Sequence, residues 1–389
     1  LRSAQSEEPG RFVLADVDGD PESLRALPAA YAQGEPECAI RAGAVRVPRL
    51  GRDLGEPARD PAPAALNPHG TALVTGAPGG LGGLVARHLV AAHGIRHLLF
   101  LGRRGPDAPG ATELVDQIEE LGAAVDVVAC DAADRDALAD ALARVPGEHP
   151  LTAVVHTAGV FDDGITASLS AEQLDRVLRP KVDAAVNLHA LTQGADLAAF
   201  VLFSSVAGVL GGAGQGNYAA GNTFLDAYAQ HLRGQGVPAT SLAWGLWAER
   251  GGMAGQITPD DLDRMTRSGI APLATEQGLG LLDAALGLGA AALVPVRLDT
   301  TALRTAHGRN LPPLLSGLVH GPARRAVADR DGSDGEASAL VRRLRGLPDD
   351  ERERALLDHV RGQAAAVLGY ASGDQVDTER AFRDLGFDS

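Results

Sequence analysis

The chain has 389 residues, 45% of them hydrophobic and 22% charged, with a net charge of −15 at neutral pH, which fits a globular protein of two or three units with a sizeable core. The acidic balance excludes a basic nucleic-acid-binding stripe, and the longest apolar run, Ala284 to Val296, is too short and too interrupted by glycine and proline to cross a bilayer. Cys38 and Cys130 form no framework, the acidic start (Glu7, Glu8, Asp16) is no signal peptide, and the 11 histidines show no metal-ligand spacing, so a reducing, cytoplasmic protein without a metal is expected.

Residues 1–50 predict strands at Phe12 to Asp16 and Ala44 to Val47 around a helix from Pro21 to Gln33, as in the trailing part of a larger α/β domain. Residues 51–68, with four prolines, read as a linker. From His69 onward, apolar strands alternate with helices: strands at Thr71 to Thr75, His97 to Leu101, Val125 to Cys130, Ala153 to His156, Phe200 to Phe203, Thr240 to Ala243 and Ala292 to Val296. Helices are expected at Leu84 to His93 and near 111–121, 134–145, 171–193, 216–234 and 275–288. Near-continuous apolar strands alternating with helices predict a parallel sheet covered on both faces, a doubly wound Rossmann-like α/β fold over 69–300 with its site at the carboxyl ends of the strands.

The first strand runs into Thr75-Gly76-Ala-Pro-Gly79-Gly80-Leu81-Gly82 and then a helix. Glycines in a strand–turn–helix let the backbone approach a pyrophosphate, which the helix N-terminus then binds. Pro78 removes one N–H donor from this turn. The second strand ends in Arg103-Arg104, where an acid would suit NAD; two arginines suit the 2′-phosphate of NADPH, or else face solvent. Asp131, after the third strand, could accept from an adenine amino group or cap the next helix. Ala158-Gly159, after the fourth, allows close approach to the nicotinamide half. His156 reads as a packed core histidine.

The fifth strand delivers Ser204 and Ser205; a glycine-rich loop follows, and Tyr218 and Asn222 lie one helical turn apart on the next helix. A hydroxyl at a strand tip opposite a phenol and an amide can handle a carbonyl oxygen; a core tyrosine beside a flexible loop is the plainer alternative. Of the 35 basic residues, 34 (35 − 1) are arginine and one is lysine, Lys181, predicted on a helix. A compact ammonium kept only once points to a specific role, against chance survival of one codon. The stretch between Ala243 and Thr275, with Trp244, Trp247, Gly251-Gly252-Met253 and a short helix near Asp260 to Arg267, reads as a lid over the site or an ordinary surface excursion. Residues 301–336 read as a second linker, and 337–389 as helical, with Leu356, Val360, Ala364, Val367 and Leu368 on one face.

Together, Thr75-Gly76 with Gly80 and Gly82, Lys181 in Arg-Pro-Lys-Val-Asp, Ser205, Tyr218 thirteen residues later and Asn222 make the 69–300 segment resemble the ketoreductases of modular type I polyketide synthases, a branch of the short-chain dehydrogenase/reductase superfamily. Residues 1–50 resemble the end of that family's structural subdomain. Residues 337–389 resemble the start of an acyl carrier protein, with Ser389 at the 4′-phosphopantetheine site. Gly221 departs from the family, which commonly has alanine there.

The resemblance implies NADPH-dependent reduction of a carrier-bound β-ketoacyl thioester beside other polyketide synthase domains. Tyr218 would be proton donor, Ser205 would hydrogen-bond the carbonyl oxygen, Lys181 would lower the Tyr218 pKa, and Asn222 would hold a relay water or orient Lys181. Phe161-Asp162-Asp163 stands where B-type members carry Leu-Asp-Asp, and Leu210 where A-type members carry tryptophan; the resemblance thus implies a 3R hydroxyl, although two aspartates also suit a polar turn. Ala213 in place of proline implies no α-epimerisation. A reductase-inactive scaffold domain and a free-standing short-chain ketone reductase are the alternative readings.

Overall fold

The computed structural model describes residues 1–52, 66–77, 79–249, 269–307, 311–318, 348, 351–352, 354–358 and 360–361. The chain divides into two compact units, Leu1–His320 and Gly321–Ser389. The described part of the second unit is helical, with Leu356, Leu357 and Val360 exposed. Most of the predicted carrier segment, Ser389 included, lies outside the described residues, as do Pro78 and the middle of the predicted lid.

The first unit begins with α1 (Arg2–Glu7), β1 (Leu14–Val17), α2 (Pro21–Tyr31), β2 (Glu37–Arg41) and β3 (Ala44–Arg46). Parallel β1–β2 and antiparallel β2–β3 pairing makes a three-stranded sheet. It closes a small core of Ala30, Cys38 and Ile40. Helix α1 was not anticipated, and the first strand starts two residues later than predicted because Phe12 and Val13 face solvent.

The larger sheet contains β4 (Thr71–Thr75), β5 (His97–Gly102), β6 (Ala124–Ala129), β7 (Leu151–His156), β8 (Ala199–Ser205), β9 (Ala239–Trp244) and, at its edge, β11 (Ala292–Leu293). Its order is β11-β9-β8-β7-β4-β5-β6, parallel throughout. The order reverses between β4 and β7, so the crevice at their carboxyl ends is the place where this fold takes a ligand. Alternation along each strand divides the core: Ala72, Val74 and Phe100 face one side, Leu73, Leu99 and Leu101 the other. The first face is covered by α3 (Gly80–His93), α4 (Ala111–Glu120) and α10 (Thr275–Leu288). The second is covered by α5 (Arg135–Leu142), α7 (Val182–Thr192) and α9 (Gly216–Gly234).

The structure corrects four expectations. The helix predicted over 171–193 is two, α6 (Ala171–Leu178) and α7, because Pro180 cannot continue the hydrogen-bond ladder. The last strand stops at Leu293, before Pro295, which lacks an N–H to pair. Trp244 and Trp247 are core residues rather than lid residues: both are buried, with ring centroids 4.9 Å apart. The base of the insert is closed by the Leu273 N–H donating to the Leu246 carbonyl and the Ala248 N–H donating to the Leu273 carbonyl, 2.7 and 2.8 Å. Finally, packing continues beyond residue 300. Short strands β10 (Ile270–Ala271) and β12 (Arg297–Leu298) pair antiparallel, and α11 (Thr300–His307) follows. Leu303, Leu315 and Leu318 are buried against Leu50, Leu210 and Leu298. A leucine every several residues, without helical or strand period, concealed this segment in the sequence.

Candidate active site

Four segments meet around the β4–β7 crevice. In the first, Gly76 follows β4 with φ +79°, a conformation that favours glycine, and a Cβ there would lie 2.7 Å from Thr157 Oγ1. Gly79 caps α3, which begins at Gly80, so Gly80, Leu81 and Gly82 form its first turn rather than a loop before it. A Cβ on Gly82 would lie 3.0 Å from both the Ala77 nitrogen and Thr157 Oγ1. The turn is fastened to the segment after β7: Thr157 Oγ1 donates to the Thr75 carbonyl (2.7 Å) and the Ala158 N–H to Thr75 Oγ1 (3.4 Å), with Gly159 beyond. Thr157, which this arrangement depends on, was not singled out from the sequence. His156 is fully buried, with Nδ1 2.7 Å from Thr75 Oγ1, and burial pushes its pKa down to about 3, so it is a neutral core histidine as expected.

Arg103 and Arg104 lie exposed just after β5, and among the described residues neither guanidinium has a hydrogen-bond or ion-pair partner. Asp131 takes the Ala133 N–H at 3.1 Å, a local turn, and lies 3.7 Å from Arg179.

The second segment carries Lys181, at the N-cap of α7 immediately after the Pro180 break. It is 1% exposed, and its ammonium donates to the Phe203 carbonyl at 3.0 Å. Burial lowers its pKa to about 8, and the charge of Asp226 opposes that shift. Asp226 lies eight residues after Tyr218 and four after Asn222, on one face of α9. That spacing was readable but was not read. Asp226 is itself pushed up by burial and takes a 2.6 Å hydrogen bond from Ser241.

The third segment is β8 with the turn after it. Ser205 caps the short α8 (Val206–Leu210), its Oγ accepting from the Ala207 N–H at 3.2 Å. The hydroxyl proton remains for donation, and the Tyr218 phenol lies within its reach. The fourth is the start of α9. Tyr218 is 7% exposed, and its ring packs 4.5 Å from Phe161. Lys181 Nζ lies 5.4 Å from the Tyr218 ring centroid. Burial pushes the Tyr218 pKa up; the Ser205 hydroxyl and the Asn222 amide pull against it, and the charge of Asp163 adds to the rise. In this geometry the ammonium is bonded to the Phe203 carbonyl, and desolvation outweighs what lowers the pKa of the phenol. Asn222 donates to the Tyr218 carbonyl at 2.8 Å, while its buried Oδ1 has no hydrogen-bond partner among the described residues. A buried acceptor left unpaired costs about 1–3 kcal/mol, so this oxygen is poised for a donor.

The aspartates form the near wall. Asp162 accepts from Gln173 at 3.2 Å and pairs with Arg176; its carbonyl accepts from Asn217 at 2.7 Å. Asp163 accepts from Gln215 at 3.0 Å. Leu210 packs away from these residues, against the Leu303–Leu318 cluster.

Elsewhere, His88 and His93 of α3 both lie against Asp283 Oδ1 of α10, at 2.7 and 2.8 Å. These are hydrogen-bond separations. Ligand atoms around a tetrahedral zinc stand about 3.3 Å apart, given Zn–N near 2.0 Å, so the cluster is a complete clasp between two helices as it stands. Among the described residues no helix is long and apolar enough to cross a membrane.

Residues 70–249 match the family described as KR domain, and residues 1–50 match the Rossmann fold domain of the polyketide synthase extender module SpnB. Over its whole length the chain is 53% identical to the spectinabilin polyketide synthase system protein NorA' of Streptomyces orinoci. Over 82% of its length it is 50% identical to the mycoketide-CoA synthase of Mycobacterium tuberculosis. The chain spans about a tenth of these relatives' own lengths, 10% and 8%. Among solved structures it resembles A-type ketoreductases from a modular polyketide synthase (44% identity, TM-score 0.75, 82% of this chain and 67% of that one). It also resembles the first ketoreductase of the tylosin synthase (36%, 0.71, 84% and 70%).

Proposed function

The chain belongs to the ketoreductase domains of modular polyketide synthases, and on that premise we propose that it reduces the β-carbonyl of an acyl thioester held on a carrier protein, using NADPH and giving a 3R hydroxyl. The observation that carries this reading is the convergence of Ser205, Tyr218, Asn222 and Lys181 beside the crevice between β4 and β7.

The residues present fit a dinucleotide. Side chains at Gly76 and Gly82 would collide with the backbone or with Thr157, which keeps the turn low enough for a pyrophosphate at the α3 N-terminus. Thr75, Gly79, Gly80 and Leu81 complete that turn. Arg103 and Arg104, unpaired at the end of β5, would take a 2′-phosphate; Asp131 would face the adenine, and Ala158 and Gly159 the nicotinamide half. NADPH, when bound, supplies the hydride.

The chain's own residues handle the oxygen. Ser205 donates its hydroxyl proton to the substrate carbonyl, stabilising charge as it builds there. Tyr218 transfers its phenolic proton to that oxygen. Burial raises the Tyr218 pKa, so the phenol keeps its proton at neutral pH and gives it up only once the carbonyl oxygen has become an alkoxide basic enough to take it. Asn222 Oδ1, unpaired and buried, accepts from a water or from Lys181 and so links Tyr218 to the one buried ammonium. The 3R reading rests on Asp162 and Asp163 bordering the Phe161–Tyr218 contact, with leucine at 210. Ser389 would carry the 4′-phosphopantetheine arm in a complete carrier domain.

The test is NADPH consumption with a racemic 2-methyl-3-oxopentanoyl thioester, run beside NADH, with chiral analysis of the product. Tyr218→Phe is expected to lower turnover by at least about a hundredfold with NADPH affinity unchanged. Near-normal turnover in that variant removes Tyr218 from the mechanism. NADPH binding without turnover in the wild type supports the scaffold alternative instead.

A further inference from the structure

Two segments that border Tyr218 cross one another. The Gly164 N–H donates to the Gly214 carbonyl at 2.7 Å, and Gly164 and Gln215 form a parallel bridge. A Cβ on Gly216 would lie 2.9 Å from Thr166 Oγ1, so the crossing leaves no room for a side chain at that position. One strand of the crossing runs on from Phe161-Asp162-Asp163, and the other runs into Tyr218.

A single side chain from outside the catalytic half holds both. Glu7, at the end of α1, accepts the Thr166 N–H on Oε2 at 2.9 Å. Its Oε1 accepts the Thr166 hydroxyl at 3.1 Å and the Gly214 N–H at 3.0 Å. Burial pushes the Glu7 pKa up, and the hydrogen bonds from Gly214 and Thr166 more than reverse this, so Glu7 is a carboxylate at neutral pH. Five residues earlier, Arg2 donates to the Gly208 carbonyl at 3.0 Å while a two-point ion pair with Glu37 fixes its guanidinium. Gly211, φ +73°, must lack a side chain because a Cβ would lie 2.6 Å from Arg2 Cβ. Helix α1 therefore braces the loop from Ser205 to Tyr218 at both ends.

We propose that Glu7 is a positioning residue of the reductase: by tying Thr166 to Gly214 it fixes Tyr218 against the Asp162–Asp163 wall, and so governs both turnover and facial selectivity. This rests on the reductase reading above. A displacement on the ångström scale is enough, since misplacing a reacting group by about 1 Å can cost about a hundredfold in rate.

Glu7→Gln in the full chain tests it. The substitution keeps shape but turns an amide donor toward donors that the carboxylate satisfied. Expected are a fall in kcat of about tenfold, NADPH affinity within about twofold of wild type, and a loss of stereochemical purity in the product, whichever configuration the wild type makes. Amide hydrogen exchange is expected to quicken in 161–166 and 211–218 while β4 and β5 keep wild-type protection. Thr166→Val, which removes one of the three bonds, is expected to give the same pattern at smaller amplitude and to be non-additive with Glu7→Gln. If Glu7→Gln does not fold, Thr166→Val alone decides. Unchanged kcat, product purity and local exchange overturn the proposal. A wild-type chain that reduces no β-ketoacyl thioester overturns the reductase reading instead, and the exchange pattern still decides whether Glu7 holds the crossing.

Discussion

A lysine that is 1% exposed and still charged at neutral pH leaves a measurable trace in stability. In the unfolded chain Lys181 titrates at its ordinary 10.5; folded, burial brings it to about 8. Between those values the unfolded state binds more protons than the folded one, so stability rises with pH. At 1.36 kcal/mol per pKa unit, the difference of 10.5 − 8 amounts to about 3 kcal/mol across the window, about 2 of which falls between pH 8 and about 9.5. Lys181→Met has a similar volume and no titration. Its stability relative to wild type is therefore expected to be level below pH 7 and to decline by about 2 kcal/mol as pH climbs from 8 to about 9.5, because only the wild type gains. Urea unfolding followed by tryptophan fluorescence reads the right unit, since both tryptophans, Trp244 and Trp247, lie in the core of the larger sheet. Asp226 loses in the variant a charge that lowers its pKa, so the same comparison in an Asp226→Asn background is the control. Two parallel stability curves across that range would refute the reasoning, because they would mean that Lys181 folds with its ordinary proton affinity.

Three further substitutions probe the frame. Gly76→Ala places a side chain at φ +79° and 2.7 Å from Thr157 Oγ1, so a loss of about 1–3 kcal/mol in urea unfolding and weaker NADPH binding by fluorescence titration are expected. Gly221→Ala is expected to stabilise by about 0.5–1 kcal/mol, because the new Cβ meets Lys181 Cδ and Leu178 Cδ2 at ordinary contact distances of 3.4 and 3.5 Å, and glycine in mid-helix is costly; thermal unfolding checks it. Asp283→Ala breaks the clasp with His88 and His93. Burial pushes the Asp283 carboxyl up, and the two imidazoles more than reverse it, so the clasp stabilises above the unfolded value of 3.8 and fades as pH falls through the folded one. The expected loss at neutral pH is about 1 kcal/mol, discounted for partial exposure, and wild type and variant are expected to converge below pH 3.8.

The doubly wound sheet was legible because strands buried on both faces write themselves as unbroken apolar runs, Phe200 to Phe203 being the clearest. Ser205, Tyr218 and Asn222 were legible through spacing, and Lys181 through being the one lysine in an arginine-rich chain. What escaped was whatever depends on contacts between distant residues. Glu7 reaches Thr166 and Gly214 across 159 and 207 positions, and nothing in the local pattern of α1 announces either contact. Asp226 escaped for a different reason: its position two turns beyond Tyr218 was visible, but a lone acid on a helix more often faces solvent. The tryptophans of the insert were misplaced because a loop of irregular sequence conceals that its two ends, Trp247 and Leu273, are bridged and buried. The break at Pro180 was legible in principle, since a proline cannot continue the hydrogen-bond ladder.

The Leu50 N–H donates to the Leu314 carbonyl at 2.7 Å, while Arg2 and Glu7 hold the loop between Ser205 and Tyr218. Residues 1–50 therefore grip the reductase half at two places, beside the loop that leads into Tyr218 and near its end. For anyone grafting this reductase into another synthase, residues 1–50 have to travel with the segment that runs through residue 318. A splice at residue 69 would leave the host's own leading segment to supply a carboxylate where Glu7 stands and a backbone partner where Leu50 stands, and a mismatch at the first would be felt in the loop that leads into Tyr218.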